Sequence, residues 1–204
     1  VQGLCVTLGI DLTMTPLVPN RFIRAASDVQ IIREVDGQRV LQKARWWLLL
    51  EPSDTGFKPS QYTSFNTRCD KLNVPHSAGY SPFRTARCII VAKGFGETEF
   101  ESQGNKKVPK HYHDIIADKG AITFGGLYKE YIAKQSAEVN LGCSIITLPP
   151  HPKLVHFHSK SSPMMLPQDD TLDAWLDPDY QQVDSFNHLM HPRIRQDLIA
   201  TEIN

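Results

Sequence analysis

The run DVQIIREVDGQRVLQKARWWLLL, residues 28–50, decides how this chain folds. Two stretches rich in apolar and β-branched residues flank Asp36 and Gly37. Asp-Gly between such stretches is the mark of a two-residue hairpin, because both residues tolerate the positive φ that the turn demands. The run therefore predicts a long antiparallel ribbon. Upstream, VQGLCVTLGIDL sets Val1, Leu4, Cys5 and Leu8 on one helical face and offers Gly9 as a stop, the pattern of an amphipathic helix. No capping Ser, Thr, Asp or Asn precedes it, and Val1 is not an initiator methionine, so further residues are expected ahead of Val1.

Working downstream, ARCIIVAKGF reads as a short buried strand ending at Gly94. HYHDIIADKGAITFGGLY reads as a second hairpin turning at Lys119 and Gly120. CSIITLPP is one more strand, broken by Pro149 and Pro150. DDTLDAWL opens with helix-start acids and is closed by Pro178, and a final short helix is expected through IRQDLIA. Short strands dominate, with helices at the ends and between them. The expected architecture is α+β, a curled, largely antiparallel, barrel-like sheet with peripheral helices, forming one domain over residues 1–204.

Composition narrows the function classes. Charge is balanced, 22 Lys plus Arg against 22 Asp plus Glu, so a nucleic-acid partner must be held by a local patch rather than a global field. The four cysteines, Cys5, Cys69, Cys88 and Cys143, are widely spaced and form no CxxC pair, which suggests free thiols in a reducing, cytoplasmic setting. Apolar runs such as residues 46–50 fall far short of the roughly 20 residues that span a bilayer, so no membrane partner is expected. A monomer is the default, since no coiled-coil pattern is present.

Three segments carry chemistry-bearing residues. In KGFGETEF, Glu97 follows two glycines that let the backbone turn and a ligand come close, and a partly dry carboxylate there acts as a proton shuttle. The plain alternative is a solvated hairpin glutamate. In FNTRCD, Asn66 and Arg68 share a face if extended, an amide to position a reacting group and a guanidinium to hold a phosphate; taken alone, the motif reads more simply as a turn Asn and a surface Arg. In LVHFHSKSSPMML, His156 and His158 would lie on one side of a strand. That suits a metal, as does the pair His111 and His113, or a single catalytic histidine beside a packing neighbour. Along the strand through Trp46 and Trp47, one indole would face the core and the other would be free to stack on a base.

Taken in order, RFIRAAS, the Asp-Gly hairpin, KARWWLLL, FNTRCD, ARCIIVAKGFGETE, ITFGGLY, SIITLPP and FHSKSSPMML resemble the SOS-response-associated peptidase (SRAP) family of abasic-site-processing domains over nearly the whole chain. The resemblance implies capture of abasic sites in single-stranded DNA by an N-terminal cysteine. That cysteine is bared by self-removal of the initiator methionine, and its α-amine and thiol close a thiazolidine on the sugar aldehyde. It further implies that Glu97 shuttles protons, Asn66 positions the cysteine and His158 assists the sugar. Arg68 and Lys160 would hold phosphates, Trp46 would stack on a base, and Thr147 would lie near the site. No cofactor is implied. Cys5 does not supply the nucleophile, since it sits on the apolar face of the opening helix and has no free α-amine. On this resemblance the family's Met-Cys strand belongs upstream of Val1. A histidine-ligated metal hydrolase and a non-catalytic single-strand-binding module are the competing readings.

Overall fold

The computed structural model describes residues 1–133 and 137–203. In chain order it holds helix α1 (Gln2–Thr7), strands β1 (Asp28–Val35), β2 (Gln38–Arg45), β3 (Leu50–Ser53), β4 (Gly56–Pro59) and β5 (Asn66–Arg68), and helix α2 (Tyr80–Thr85). There follow β6 (Arg87–Ala92), β7 (Gly94–Gln103), β8 (Lys106–Ala117), β9 (Ile122–Ile132), β10 (Val139–Leu148), the brief β11 (Ser162–Pro163), α3 (Thr171–Leu176) and β12 (Leu198–Ile203). Two 3-10 turns, Cys69–Lys71 and Val183–Leu189, complete the set.

Five strands close on themselves. β1 pairs antiparallel with β2 and with β6, β6 with β9, and β9 with β10. β10 then returns to β2 in parallel, where Gly142 meets Arg45. The opening hairpin turns at Asp36 and Gly37, whose φ values of 51° and 74° are the left-handed conformation that the dipeptide was read for. A three-stranded sheet, β12-β8-β7, and the small β3-β4 ribbon stand outside the barrel.

Alternation along the strands sends residues to two cores. Ile32, Leu41, Ile89, Leu127 and Ile146 face a layer of helices, meeting Cys5 and Leu8 of the α1 segment, Phe83 of α2, Trp175 of α3 and Phe186. Ile31, Ala44, Cys88, Ile90, Phe124, Tyr128, Leu141 and Cys143 fill the opposite face. The helical layer is pinned by Arg87, whose guanidinium donates to the carbonyls of Phe83, Arg84, Trp175, Asp177 and Tyr180. Its burial pulls its pKa down to about 10. All four cysteines are free, and burial raises the pKa of each thiol.

The opening helix, the Asp-Gly ribbon, the β6 and β10 strands and α3 stand as the sequence predicts. Two expectations are corrected. The chain does reverse near Gly120 (φ 67°), but β8 and β9 do not form a hairpin. β9 is buried on both faces through its first seven residues and belongs to the barrel, whereas the more polar β8 pairs with β7 and β12. Lys93 satisfies the link by donating to the carbonyls of Ala117, Asp118 and Gly120. The segment read as a final helix is strand β12, because the open edge of β8 supplies backbone partners that an isolated turn of helix lacks.

Barrel closure admits no side chain at residue 142: a Cβ on Gly142 would lie 2.5 Å from the Trp47 carbonyl oxygen and 2.8 Å from that of Leu48. Gly142→Ala is expected to cost about 2–3 kcal/mol in urea denaturation, as backbone overpacking does. Gly3→Ala, in α1 with open space around it, should be neutral or stabilising. Equal stabilities for the two variants would show that the seam is not tight.

Candidate active site

Glu97 stands within β7, directly across from His113 of β8. The two preceding glycines do not form a turn, as the sequence suggested; they lie inside the strand. What they admit is neighbouring protein rather than a ligand. A Cβ on Gly94 would fall 2.4 Å from the Ile115 carbonyl oxygen, and one on Gly96 would fall 1.6 Å from the Tyr112 hydroxyl. Glycine thus lets β7 lie flush on β8 and fixes the height of Glu97.

The second half of the site comes from the connection between β10 and β11. Pro149, Pro150 and Pro152 end the strand, so LVHFH forms successive turns, and His156 and His158 do not share a strand face. The amides of Phe157 and His158 both donate to the Leu154 carbonyl at 3.0 Å. Leu154 itself is buried, and the His151 amide donates to the buried Ser162 hydroxyl, which anchors the base of the loop. The Phe157 ring packs on His113 at 4.7 Å. This folding brings His158 Nδ1 to 3.1 Å from Glu97 Oε2.

Burial alone pushes the Glu97 carboxyl up to about 7, and its side chain is only 21 % exposed. His158 moves the other way, lowered first by burial and then by the Lys160 charge. Each environment disfavours the ionised form, so near neutrality the pair is poised to hold one proton between carboxyl oxygen and imidazole nitrogen. Such a pair can give or accept a proton at physiological pH.

Asn66 is exposed on β5, which runs parallel to β10 with Asn66 opposite Ile145 and Arg68 opposite Thr147. Thr67 fixes this strand through a buried 2.7 Å hydroxyl contact with Ser144. Arg68 is exposed and donates twice to the Asp70 carboxylate at 2.9 Å. Thr147 is buried between Arg68 and Pro163. Among the described residues no hydrogen bond or ion pair joins Asn66 to the Glu97–His158 pair.

Trp46 and Trp47 sit in a bend after β2 rather than on the strand, because the Trp47 amide turns back to the Arg45 carbonyl; both are half-buried. The Trp46 indole donates to the Phe65 carbonyl at 2.8 Å, while the buried Trp47 Nε1 has no partner among the described residues. Lys160 is exposed and lines an open groove of about 370 Å³ between β7 and the histidine loop. Sequence reasoning named His113 only as a candidate metal ligand and missed its place opposite Glu97, along with Phe157 and this groove, all of which depend on the β7–β8 pairing through Gly104. Among the described residues no three His, Cys, Asp or Glu side chains come together as metal ligands, and no helix is long and apolar enough to cross a membrane.

The family model for SOS response associated peptidase (SRAP) matches residues 12–204. The "Abasic site processing protein HMCES" of Xenopus tropicalis is 24% identical over 188 residues, covering 82% of this chain. The chain spans about half, 54%, of that curated relative. Among solved structures, a Bacteroides thetaiotaomicron protein superposes with a TM-score of 0.65 at 21% identity, over 88% of this chain and 75% of that one. A phage-related protein from Bordetella bronchiseptica gives 0.66 at 18% identity, over 89% and 80%. At such identities the solved structures show the shared fold.

The raised carboxyl has a thermodynamic signature. Folded Glu97 binds its proton more tightly than an ordinary carboxylate, so the stability it contributes is full below the usual carboxylate range and is lost as pH rises towards about 7. Glu97→Gln should therefore gain on the wild type by up to roughly 3 kcal/mol between about pH 4 and 8 in urea titrations. A gap that does not change with pH would mean that the carboxyl is solvated.

Proposed function

The chain belongs to the SOS response associated peptidase (SRAP) family, and from that membership we propose that it processes abasic sites in single-stranded DNA, capturing the ring-opened sugar covalently. The observation that carries this reading is the Glu97–His158 contact, a carboxyl tuned to about 7 lying 3.1 Å from an imidazole whose pKa is lowered. The curated relative in Xenopus tropicalis is named for abasic site processing, which supports the same substrate.

The nucleophile on this reading is an N-terminal cysteine carried ahead of α1 and bared by hydrolysis of the preceding Met-Cys peptide bond. Its α-amine titrates near neutrality and is partly unprotonated there. The amine nitrogen bonds to the aldehyde carbon of the opened sugar, giving a carbinolamine. Glu97 protonates the hydroxyl, which leaves as water, and a Schiff base forms. The thiol sulfur then bonds to the imine carbon while its proton passes to the nitrogen, and the ring closes as a thiazolidine with no external oxidant or reductant. Glu97 relays these protons and His158 assists at the sugar oxygen.

Around this centre Asn66 orients the cysteine through its exposed amide. Arg68 and Lys160 hold flanking phosphates; Arg68 releases Asp70 to do so, an exchange that an exposed pair permits at little cost. The part of the Trp46 ring left open offers a face for a base, with Thr147 supporting the strand end from beneath.

Full-length protein with its natural terminus, mixed with single-stranded DNA bearing one abasic site, is expected to give a product that survives denaturing electrophoresis. Glu97→Gln should slow its formation by about 10²-fold or more while leaving reversible DNA binding intact. Failure of the full-length protein to form any covalent product would overturn the proposal and leave reversible strand binding as the remaining activity.

A further inference from the structure

The open groove beside the Glu97–His158 pair has a chemical character that proton transfer does not explain. One wall is β7, which carries Phe100; the other is the loop through Val155, Phe157, His158 and Lys160. Phe100 is 50% exposed and Val155 41%, so two apolar side chains are held open to solvent on facing walls.

The exposure of Phe100 follows from a break in the sheet. The β7–β8 register shifts between Glu99 and Phe100, so Glu99 opposes His111 while Phe100 opposes Pro109. Such an irregularity re-aims the side chain that follows it. Pro109 has no amide hydrogen to offer, which leaves the pairing locally loose. Charge in the groove is also arranged. The Glu99 carboxylate is held by Lys110 at 3.6 Å, which offsets the negative charge on this wall. Lys160 stands exposed on the other wall, close enough to depress the pKa of His158.

The geometry points to a nucleotide subsite. The groove receives the base-bearing nucleotide next to the abasic sugar, with Phe100 as its stacking platform, Val155 closing on the other side and Lys160 meeting its phosphate. This rests on the DNA reading above and extends it. His158 borders both the groove and the proton pair, so a strand whose sugar lies at Glu97 leads its neighbour directly into the groove. The volume suits one base with its sugar. An aromatic face binds any base, because every base has a π-face, so the subsite tolerates sequence. A peptide is the less fitting occupant. The groove couples its apolar walls to a cation suited to phosphate.

Two single-stranded oligonucleotides of equal length and charge test this with full-length protein by fluorescence anisotropy. Both carry a central tetrahydrofuran, which has no aldehyde and cannot react. In one, the neighbours bear bases; in the other, both neighbours are tetrahydrofuran as well. The wild type should prefer the first by about 10-fold or more, the range of one base–aromatic stack. Phe100→Ala should cut the preference several-fold, leaving only what the Trp46 face contributes, and Phe100→Trp should retain it. Thermal melts of each variant check the fold.

A preference undiminished in Phe100→Ala, or a wild type that shows none, overturns the subsite; the second result would favour a peptide in the groove. Crosslinking to aldehyde-bearing DNA is read separately. Base preference without crosslinking sinks the capture chemistry and leaves the subsite standing, and crosslinking without base preference does the reverse.

Discussion

Parallel pairing of Gly142 with Arg45 closes the barrel, and it is possible only because residue 142 has no side chain to keep the Trp47 and Leu48 carbonyls away. Downstream of that seam, β10 carries β5 on one edge while β9 gives way to β11 on the other. The strand therefore has little free edge, and its neighbours are ordered by its own register. Asn66 and Arg68 take their places from β5. His158 takes its place from the loop released where Pro149 and Pro150 end β10. A side chain at the seam would disturb both, though it lies in neither.

The proton pair is an interface property. Glu97 belongs to the outer three-stranded sheet and His158 to a barrel connection, and neither unit alone would hold the contact. Phe157 stacked on His113 bonds the two units beside the pair, and Phe95 meets Phe124 edge-on at 5.8 Å lower down. The carboxyl is partly dry at this junction, and that burial is the cause of its raised pKa. Packing and proton affinity are here one arrangement seen from two sides.

Much of the frame was legible from the residues. Asp36-Gly37 named its own turn, and the 1, 4, 5, 8 spacing named the buried face of α1. The sheet that carries Glu97 was not legible. Gly104 turns the β7–β8 hairpin at φ 63°, but the flanking ESQ and KKV lack the apolar alternation that makes such a turn stand out. β12 forms because β8 has an open edge, which is tertiary information that LIATEI does not contain. Glu97 and His158 likewise carried no decisive local signal. The order of many weak motifs pointed to them, and the contact between them appears only once Pro149, Pro150 and Pro152 have bent the loop. The His-x-His pattern misled for the same reason: its spacing implied a strand where proline forbids one.

The four thiols of this domain are all shifted away from ionisation, three of them fully enclosed. Thiolate is the reactive species, so the folded domain presents soft electrophiles with almost nothing to attack. Its interior is chemically silent by construction. Any thiol carried outside this fold would meet thiol-selective reagents with little competition from these four cysteines, and its reactivity could be read by thiol labelling against a low background.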